Sequence, residues 1–220
     1  MRHAMTICLL VASTAIAGSQ QAGIMPAGFD QIHIGMDWRS VVSLRPHAEI
    51  MNMMPASDTD LKPDPRNPKA GLTEKLASGP FERVLYSFED GVLVAVMFGK
   101  EAGKAPLGER EGLIRKVAGE RGMPVRIEIV GNRRDQGVLT WQDQSLHINV
   151  IVSADDTKTK KGVFGFQIMN RKYAERIKAI GASVNARKDS DLQDAEKEKL
   201  DVFKSKIEKI ISVENGAPQK

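Results

Sequence analysis

The stretch "VLYSFEDGVLVAVMF", Val84–Phe98, predicts a β-hairpin, because its apolar residues recur with a period of two on both sides of a turn sequence. The alternating residues are Val84, Tyr86 and Phe88 before the turn and Val92, Val94, Val96 and Phe98 after it. Asp90-Gly91 tolerates the positive φ values of a tight hairpin turn. Leu93, Ala95 and Met97 make the other face of the return strand apolar too, which predicts a central strand covered on both sides.

A helix is predicted on each side of this hairpin. Asp37 can cap a helix from Trp38 to Arg45, and Pro46 ends it because proline disfavours a helical conformation in the residue before it. The second helix runs from Leu107 to Arg121, with Gly122 as its stop.

Three or four more strands follow the second helix. They are predicted at Val125–Val130, Val138–Gln142, Leu146–Val152 and Val163–Asn170. The alternation of apolar and polar residues in the third of them is typical of a half-buried antiparallel strand. Residues 29–185 therefore predict an α+β domain, with short helices packed on an antiparallel sheet.

Residues 52–80 interrupt the domain with a proline-rich insertion. Its prolines are Pro55, Pro63, Pro65, Pro68 and Pro80. Prolines at this density predict an extended, loop-like path, with one helical turn around Leu72–Ala77. A loop of this length is either functional or disordered, and the sequence leaves both alternatives open.

A C-terminal amphipathic helix is predicted in residues 189–214. Ser190 and Gln193 have the spacing of a capping box. Apolar residues then recur at helical spacing as far as Val213. Packing on the domain and pairing with another helix are both open alternatives for this helix.

The N-terminus has the order of a secretory signal peptide. Arg2 and His3 precede the apolar run Met5–Ala12 and the small residues Ser13–Ala17, so cleavage is predicted after Ala17. The protein is then exported, either to the periplasm or outside the cell. Its only cysteine is in the removed segment, so the processed chain has no disulfide, thiolate metal site or cysteine nucleophile.

Composition and charge argue against nucleic acid as a partner. The chain has a net charge of +4, and its basic residues alternate with acidic ones instead of forming a stripe. No stretch is long and apolar enough to predict a transmembrane segment. A further hypothesis is adhesion to an anionic envelope surface through Lys158, Lys160, Lys161 and the C-terminal lysines.

Three stretches resemble the small exported SmpA/OmlA-type (BamE-like) domains and the related β-lactamase-inhibitor-like domains. They are the opening "IHIGMDWRSVVSLRP", the hairpin "VLYSFEDGVLVAVMF" and "RKVAGERGMPVRIEIVGNRRDQGVLTWQDQSLHINVIV". The chain departs from the family pattern in having Asp37 for Ser or Thr, Ser40 where Glu is common and Arg45 near the expected Gly. The resemblance implies BamE-like repeats at 29–100 and 105–170, and an envelope or secreted protein that binds another protein.

The sequence predicts no catalytic residue, cofactor or metal site. The histidines that follow the signal peptide are His33, His47 and His147, and no pair of them has the spacing of two ligands on one helix. No nucleophile elbow, phosphate-binding loop or dinucleotide fingerprint is present in the sequence. The alternative is a small secreted hydrolase or metal-dependent enzyme, in which His47, His147 and a carboxylate meet only in the folded chain.

The first hypothesis is therefore a non-catalytic exported module for protein binding or envelope assembly, with its oligomeric state left open. The candidate partner contacts are Trp141 and His147 on the predicted sheet and Phe203, Ile207 and Ile210 on the C-terminal helix. Exposure of Trp141 would support this choice, whereas full burial of its ring would make it a core residue.

Overall fold

The computed structural model describes residues 23–52, 70–130, 136–153, 163–185 and 194–213. These residues form four α-helices and one eight-stranded antiparallel sheet. The prediction of a mixed α+β fold is thereby confirmed.

The helices are α1 (Trp38–Leu44), α2 (Leu107–Arg121), α3 (Arg171–Asn185) and α4 (Asp194–Ser212). The strands are β1 (Glu49–Asn52), β2 (Ala70–Lys75), β3 (Arg83–Glu89), β4 (Val92–Glu101), β5 (Arg126–Val130), β6 (Gln136–Gln142), β7 (Leu146–Ser153) and β8 (Val163–Asn170). Their order in the sheet is β1-β2-β3-β4-β8-β7-β6-β5, so β4 is a central strand, as predicted.

The chain divides into two compact units. Of the described residues, unit 1 comprises 23–52, 70–79 and 83–97, and unit 2 comprises 80–82, 98–130, 136–153, 163–185 and 194–213. Along the chain, α1 precedes the four strands β1 to β4, and α2 precedes the four strands β5 to β8.

In unit 1 the predicted hairpin of β3 and β4 is confirmed, and Asp90 and Gly91 have positive φ values of 50° and 77°. Helix α1 is attached to this hairpin by its leading residues. Gly35 donates its N–H to Leu93 O (2.8 Å), and Trp38 donates to Gly91 O (2.9 Å). The start of α1 is therefore fixed to the turn of the hairpin.

Asp37 caps α1 as predicted. Its Oδ1 accepts hydrogen bonds from the N–H groups of Arg39 (3.0 Å) and Ser40 (3.1 Å). Hydrogen bonding by Ser40 holds the pKa of the Asp37 carboxyl below its ordinary value of 3.8. Asp37 thus supplies the side-chain oxygen that a Ser or Thr can also supply at the N-cap of a helix.

The prediction of a helical turn around Leu72–Ala77 is wrong. Strand β2 occupies Ala70–Lys75 and pairs on both sides, so that Leu72 lies opposite Ile50 of β1 and Tyr86 of β3. The sequence of β2 has little strand propensity, and pairing with two neighbours overrides that preference. Four of the five prolines of the insertion lie outside the described residues.

In unit 2 the four predicted strands are confirmed, and α2 has the bounds that the sequence predicts. An aromatic cluster lies at one side of its core. The ring of Phe81 is 5.3 Å from that of Phe164 and 5.4 Å from that of Phe98, and Phe98 is 6.1 Å from Phe166. Such offset and tilted pairs are favourable packing arrangements for aromatic rings.

Helix α4 packs against the sheet of unit 2 through its apolar residues. Phe203, Ile207, Ile210 and Ile211 are buried. The ring of Phe203 covers Gly137 of β6 so closely that a Cβ at this position would overlap it. The residues from which this helix was predicted to start, including Asp191, lie outside the described residues.

Candidate functional site

The sheet of unit 2 has one apolar and one polar face. Leu139, Ile148 and Val150 are on the apolar face and are fully buried. Helices α2 and α4 lie on this side, since Leu107 and Ile207 border the same small gap as Val152. We call the opposite side the polar face. It carries Arg126 and Glu128 of β5, Thr140 and Gln142 of β6, His147 and Asn149 of β7, and Gln167 of β8.

A row of polar side chains crosses all four strands of this face. Arg126 lies opposite Thr140, Thr140 opposite Asn149, and Asn149 opposite Gln167. Thr140 Oγ1 donates a hydrogen bond to Asn149 Oδ1 (2.9 Å), and Asn149 Nδ2 donates to Gln167 Oε1 (3.3 Å). Since Thr140, Asn149 and Gln167 hold one another, this part of the row has a fixed orientation before any ligand arrives.

His147 lies beside this row, two residues from Asn149 on the same strand. Gln142 and Met169 are directly opposite it on the neighbouring strands. Burial lowers the pKa of the His147 imidazole below its ordinary value of 6.5, and the charges of Lys178 and Arg126 lower it further. A hydrogen bond with Asn149 opposes this shift. The ring is therefore neutral at pH 7, and it can both donate and accept a hydrogen bond.

Helix α3 borders the polar face at its His147 end. Asn170 Oδ1 accepts hydrogen bonds from the first turn of the helix, including the Lys172 N–H (3.0 Å). Arg171 N–H donates to Ser145 O (2.9 Å), and Arg171 Nε donates to Glu175 Oε1 (2.8 Å). These contacts fix the start of α3, while Ile177 further along is 46% exposed.

The turn between β6 and β7 positions the strands that carry this row. Asp143 Oδ1 accepts hydrogen bonds from the N–H groups of Ser145 (2.7 Å) and Leu146 (2.8 Å). Its Oδ2 accepts from Arg121 Nη1 at the end of α2 (2.7 Å). Burial would raise the pKa of the Asp143 carboxyl, but these hydrogen bonds outweigh burial and lower it below 3.8.

Unit 1 contains a different polar cluster, made of Arg45, Glu74 and Tyr86. Arg45 donates from Nε and Nη2 to the two oxygens of Glu74 (2.9 and 2.7 Å), and Tyr86 Oη donates to Glu74 Oε2 (3.2 Å). The Arg45 guanidinium also lies 4.2 Å from the centre of the Phe29 ring. Burial raises the pKa of the Tyr86 phenol well above its usual range. Every polar group of this cluster faces another, so it joins α1, β2 and β3 and offers no open reactive atom.

Sequence reasoning missed this cluster because Glu74 was assigned to the loop-like insertion. Because the Arg45 side chain is partly buried, its guanidinium needs a carboxylate partner, and β2 supplies one.

Four of the five predicted partner contacts are internal to unit 2, and this is a correction. Trp141 is 2% exposed, and its Nε1 donates to Gly122 O at the end of α2 (2.8 Å). Phe203, Ile207 and Ile210 are buried because the apolar face of α4 packs on the sheet and on α2. His147 alone remains on a half-exposed surface.

The described residues contain no group of three His, Cys, Asp or Glu side chains placed to hold a metal ion. His47 belongs to unit 1 and His147 to unit 2, so neither unit by itself contains the pair that the enzyme alternative needs. Lys158, Lys160 and Lys161, together with residues 1–17, lie outside the described residues.

None of the helices in the described part of the chain has the length and apolar composition needed to span a membrane. No family model, curated protein or solved structure matches this chain.

Proposed function

We propose that this chain is an exported, non-catalytic module for protein binding or envelope assembly, and that its partner contacts the polar face of unit 2. The observation that carries this proposal is the hydrogen-bonded row from Thr140 through Asn149 to Gln167. Side chains held on strands by their neighbours lose little conformational entropy when a partner binds.

The composition of this face suits a protein partner. It offers amide groups, a neutral imidazole and the mutually paired Arg126 and Glu128, and apolar side chains of intermediate exposure such as Val138 and Ile151 adjoin them. Thr140 is itself buried and serves to hold Asn149. Such a mixture of hydrogen-bonding and apolar surface is typical of non-obligate protein interfaces.

The resemblance to BamE-like domains supports the same proposal, since those families act by binding other proteins. We include in it the two BamE-like repeats at 29–100 and 105–170. Their support is the repeated chain order of one helix followed by four strands. On this view, the C-terminal amphipathic helix α4 serves the second repeat by covering its apolar face.

Export can be tested directly. Expression in a bacterial host followed by intact-mass measurement of the purified protein should give an N-terminus at Gly18, because cleavage is predicted after Ala17. An N-terminus that retains residues 1–17 would contradict the export part of the proposal.

The binding surface can be tested by site-specific photo-crosslinking in an envelope extract of the source. A photoreactive residue at Gln142 or at Gln167 should capture the same protein, because both positions lie on the polar face. The matched control is the same residue at His47, which is exposed but belongs to unit 1.

A substitution within the row provides a second test of the same surface. Asn149→Lys removes both hydrogen bonds of the row and adds a charge, so it should reduce capture at Gln142 at least about tenfold, as expected for loss of a central polar contact. Equal capture at Gln142 and His47, or capture unaffected by Asn149→Lys, would contradict the proposed surface.

A further inference from the structure

Helix α3 places positive charge beside the His147 end of the polar face. The helix has one acidic and four basic residues, namely Glu175, Arg171, Lys172, Arg176 and Lys178. It packs against β7 and β8, the strands that carry Asn149 and Gln167 of the row. A surface with an excess of one charge attracts partners of the opposite charge.

Lys178 lies on the side of α3 that faces the strands. It follows the buried Ala174 by four residues, and residues at this spacing share one face of a helix. The positive charge of Lys178 accordingly acts on the His147 ring from α3, while that of Arg126 acts on it from β5. Because the Lys178 side chain is itself exposed, it can reach a ligand that also contacts His147.

The other charged groups near this ring already pair with one another. On β5, Arg126 pairs with Glu128. On α3, Arg171 pairs with Glu175. Lys178, by contrast, forms no ion pair with any residue that the structure describes. One positive charge is therefore left without a compensating carboxylate at this end of the polar face.

We propose that the partner presents a carboxylate to the His147 end of the polar face, where the Lys178 ammonium and the His147 ring bind it together. This inference rests on the proposed function, because it gives the chemistry of the partner at the same surface. A carboxylate accepts hydrogen bonds, and an ammonium and an imidazole can both donate them. Ile177, next to Lys178 in the chain, is 46% exposed and adds an apolar contact. An acidic protein segment therefore suits this surface better than a small free anion.

Binding of the carboxylate is linked to protonation of His147. Without the partner the ring is neutral at pH 7, because burial and the charges of Lys178 and Arg126 disfavour its charged form. Gln142 and Met169, which lie opposite it on β6 and β8, add no charge. A carboxylate beside the ring favours the charged form. By linkage, the affinity for the partner should rise as the pH falls from neutral, while the partner's carboxylate stays ionised.

A short acidic peptide tests this chemistry independently of the partner's identity. The probe is the capped tetrapeptide Leu-Glu-Glu-Leu, titrated into the purified protein and followed by NMR at the His147 ring. Its affinity should increase about fivefold from about pH 7 to about pH 5.5. His147→Gln should remove this pH dependence. Lys178→Gln should weaken binding about three- to fivefold at both pH values, as expected for loss of an exposed ion pair.

Lys209→Gln is the matched control, because Lys209 is an exposed lysine of α4, on the opposite face of the sheet. It makes the same change of charge and should leave the affinity for the peptide unchanged. The tetrapeptide Leu-Gln-Gln-Leu should bind more weakly than the acidic one, and so should acetate alone. Equal binding of the two peptides, equal losses in the two lysine variants, or acetate that binds as well as the acidic peptide would overturn the inference.

Carbodiimide coupling extends the test to the partner itself. This reagent joins a lysine amine to a carboxylate in contact with it, so it should link Lys178 to an acidic residue of the protein captured at Gln142. Lys178→Arg keeps the charge but lacks the amine, so it should abolish the link and preserve capture. Capture at Gln142 with neither the link nor binding of the acidic peptide would overturn this inference and leave the proposed function standing. Binding of the peptide without any capture at Gln142 would instead contradict the proposed function.

Discussion

The ring of Phe203 on α4 lies directly over Gly137 on β6, and no side chain larger than hydrogen fits between them. This contact joins the C-terminal helix to the strand that carries Thr140 and Trp141. It explains why β6 has a glycine in its interior, where glycine is otherwise unfavourable.

Gly137→Ala should destabilise the protein by about 1 to 3 kcal/mol, because the added methyl group overpacks the contact with Phe203. Urea unfolding followed by circular dichroism measures this change. Adding Phe203→Leu to Gly137→Ala should recover part of the loss, because the smaller side chain makes room. Gly112→Ala in α2 is the matched control: nothing lies within 4 Å of its Cβ position, so it should stabilise by about 0.5 to 1 kcal/mol.

Substitutions in the Arg45–Glu74–Tyr86 cluster should lower the free energy of unfolding by different amounts, depending on how many buried polar groups lose a partner. Glu74→Ala should cost about 3 kcal/mol, near the low end for a broken buried pair, because the Arg45 side chain remains 20% exposed. Tyr86→Phe should cost only about 1 kcal/mol, because it removes one hydrogen bond. Glu111→Ala, which breaks the surface pair with Arg115, should change the free energy of unfolding by about 0.3 to 0.5 kcal/mol. Equal costs for the three variants would contradict the enclosed nature of the cluster.

His147 should titrate below its ordinary pKa of 6.5, because burial disfavours its charged form. Since the unfolded chain then binds the proton more readily, stability should fall as the pH drops from about 6.5 through the lower folded pKa, and His147→Gln should remove that dependence. Well above pH 6.5 the ring is neutral in both states, so no effect is expected there.

Two neighbours of His147 on α3 provide controls of opposite sign. Lys178→Gln should raise the pKa of His147 in an NMR titration, and Glu175→Gln should lower it further. Shifts in the same direction for both variants would show that the two charges do not act on the ring as the structure indicates.

The hydrogen bonds of Asp143 in the β6–β7 turn should stabilise the fold less in acid than at neutral pH. The folded pKa of Asp143 is lowered below 3.8, so the stabilisation is present above that pH and is lost as the pH falls through the folded pKa. Asp143→Asn keeps the shape and loses this dependence, so the free energies of unfolding of the two chains should converge in acid. At pH 7 the substitution should cost about 1 kcal/mol, because solvent partly screens the site. An unchanged difference between pH 7 and pH 3 would contradict this.

Local patterns predicted most of the fold correctly because their causes are local. The hairpin follows from period-two alternation around Asp90-Gly91, and the α1 cap follows from an aspartate in front of an apolar turn. Strand β2 was missed because its residues have no strand preference of their own. Its structure comes from the two strands that flank it, which local sequence does not specify.

The residues of the candidate site were likewise predicted from the sequence only in part. The sequence alone predicted that His147 and Asn149 alternate with apolar residues and so share one face of a strand. It could not decide that Trp141, Phe203, Ile207 and Ile210 are buried, because an apolar side chain is suited equally to a core and to an interface.

The α+β class, the hairpin and the bounds of α2 and β8 could be predicted from local sequence, because periodicity and turn residues act over a few positions. The folded chain was needed to show which strands are neighbours, and strand pairing aligns Thr140, Asn149 and Gln167 in one row. It was also needed to show that α4 covers Gly137 and that β5 is an edge strand. Both depend on contacts between residues far apart in the chain, whose free energy of packing no local pattern encodes.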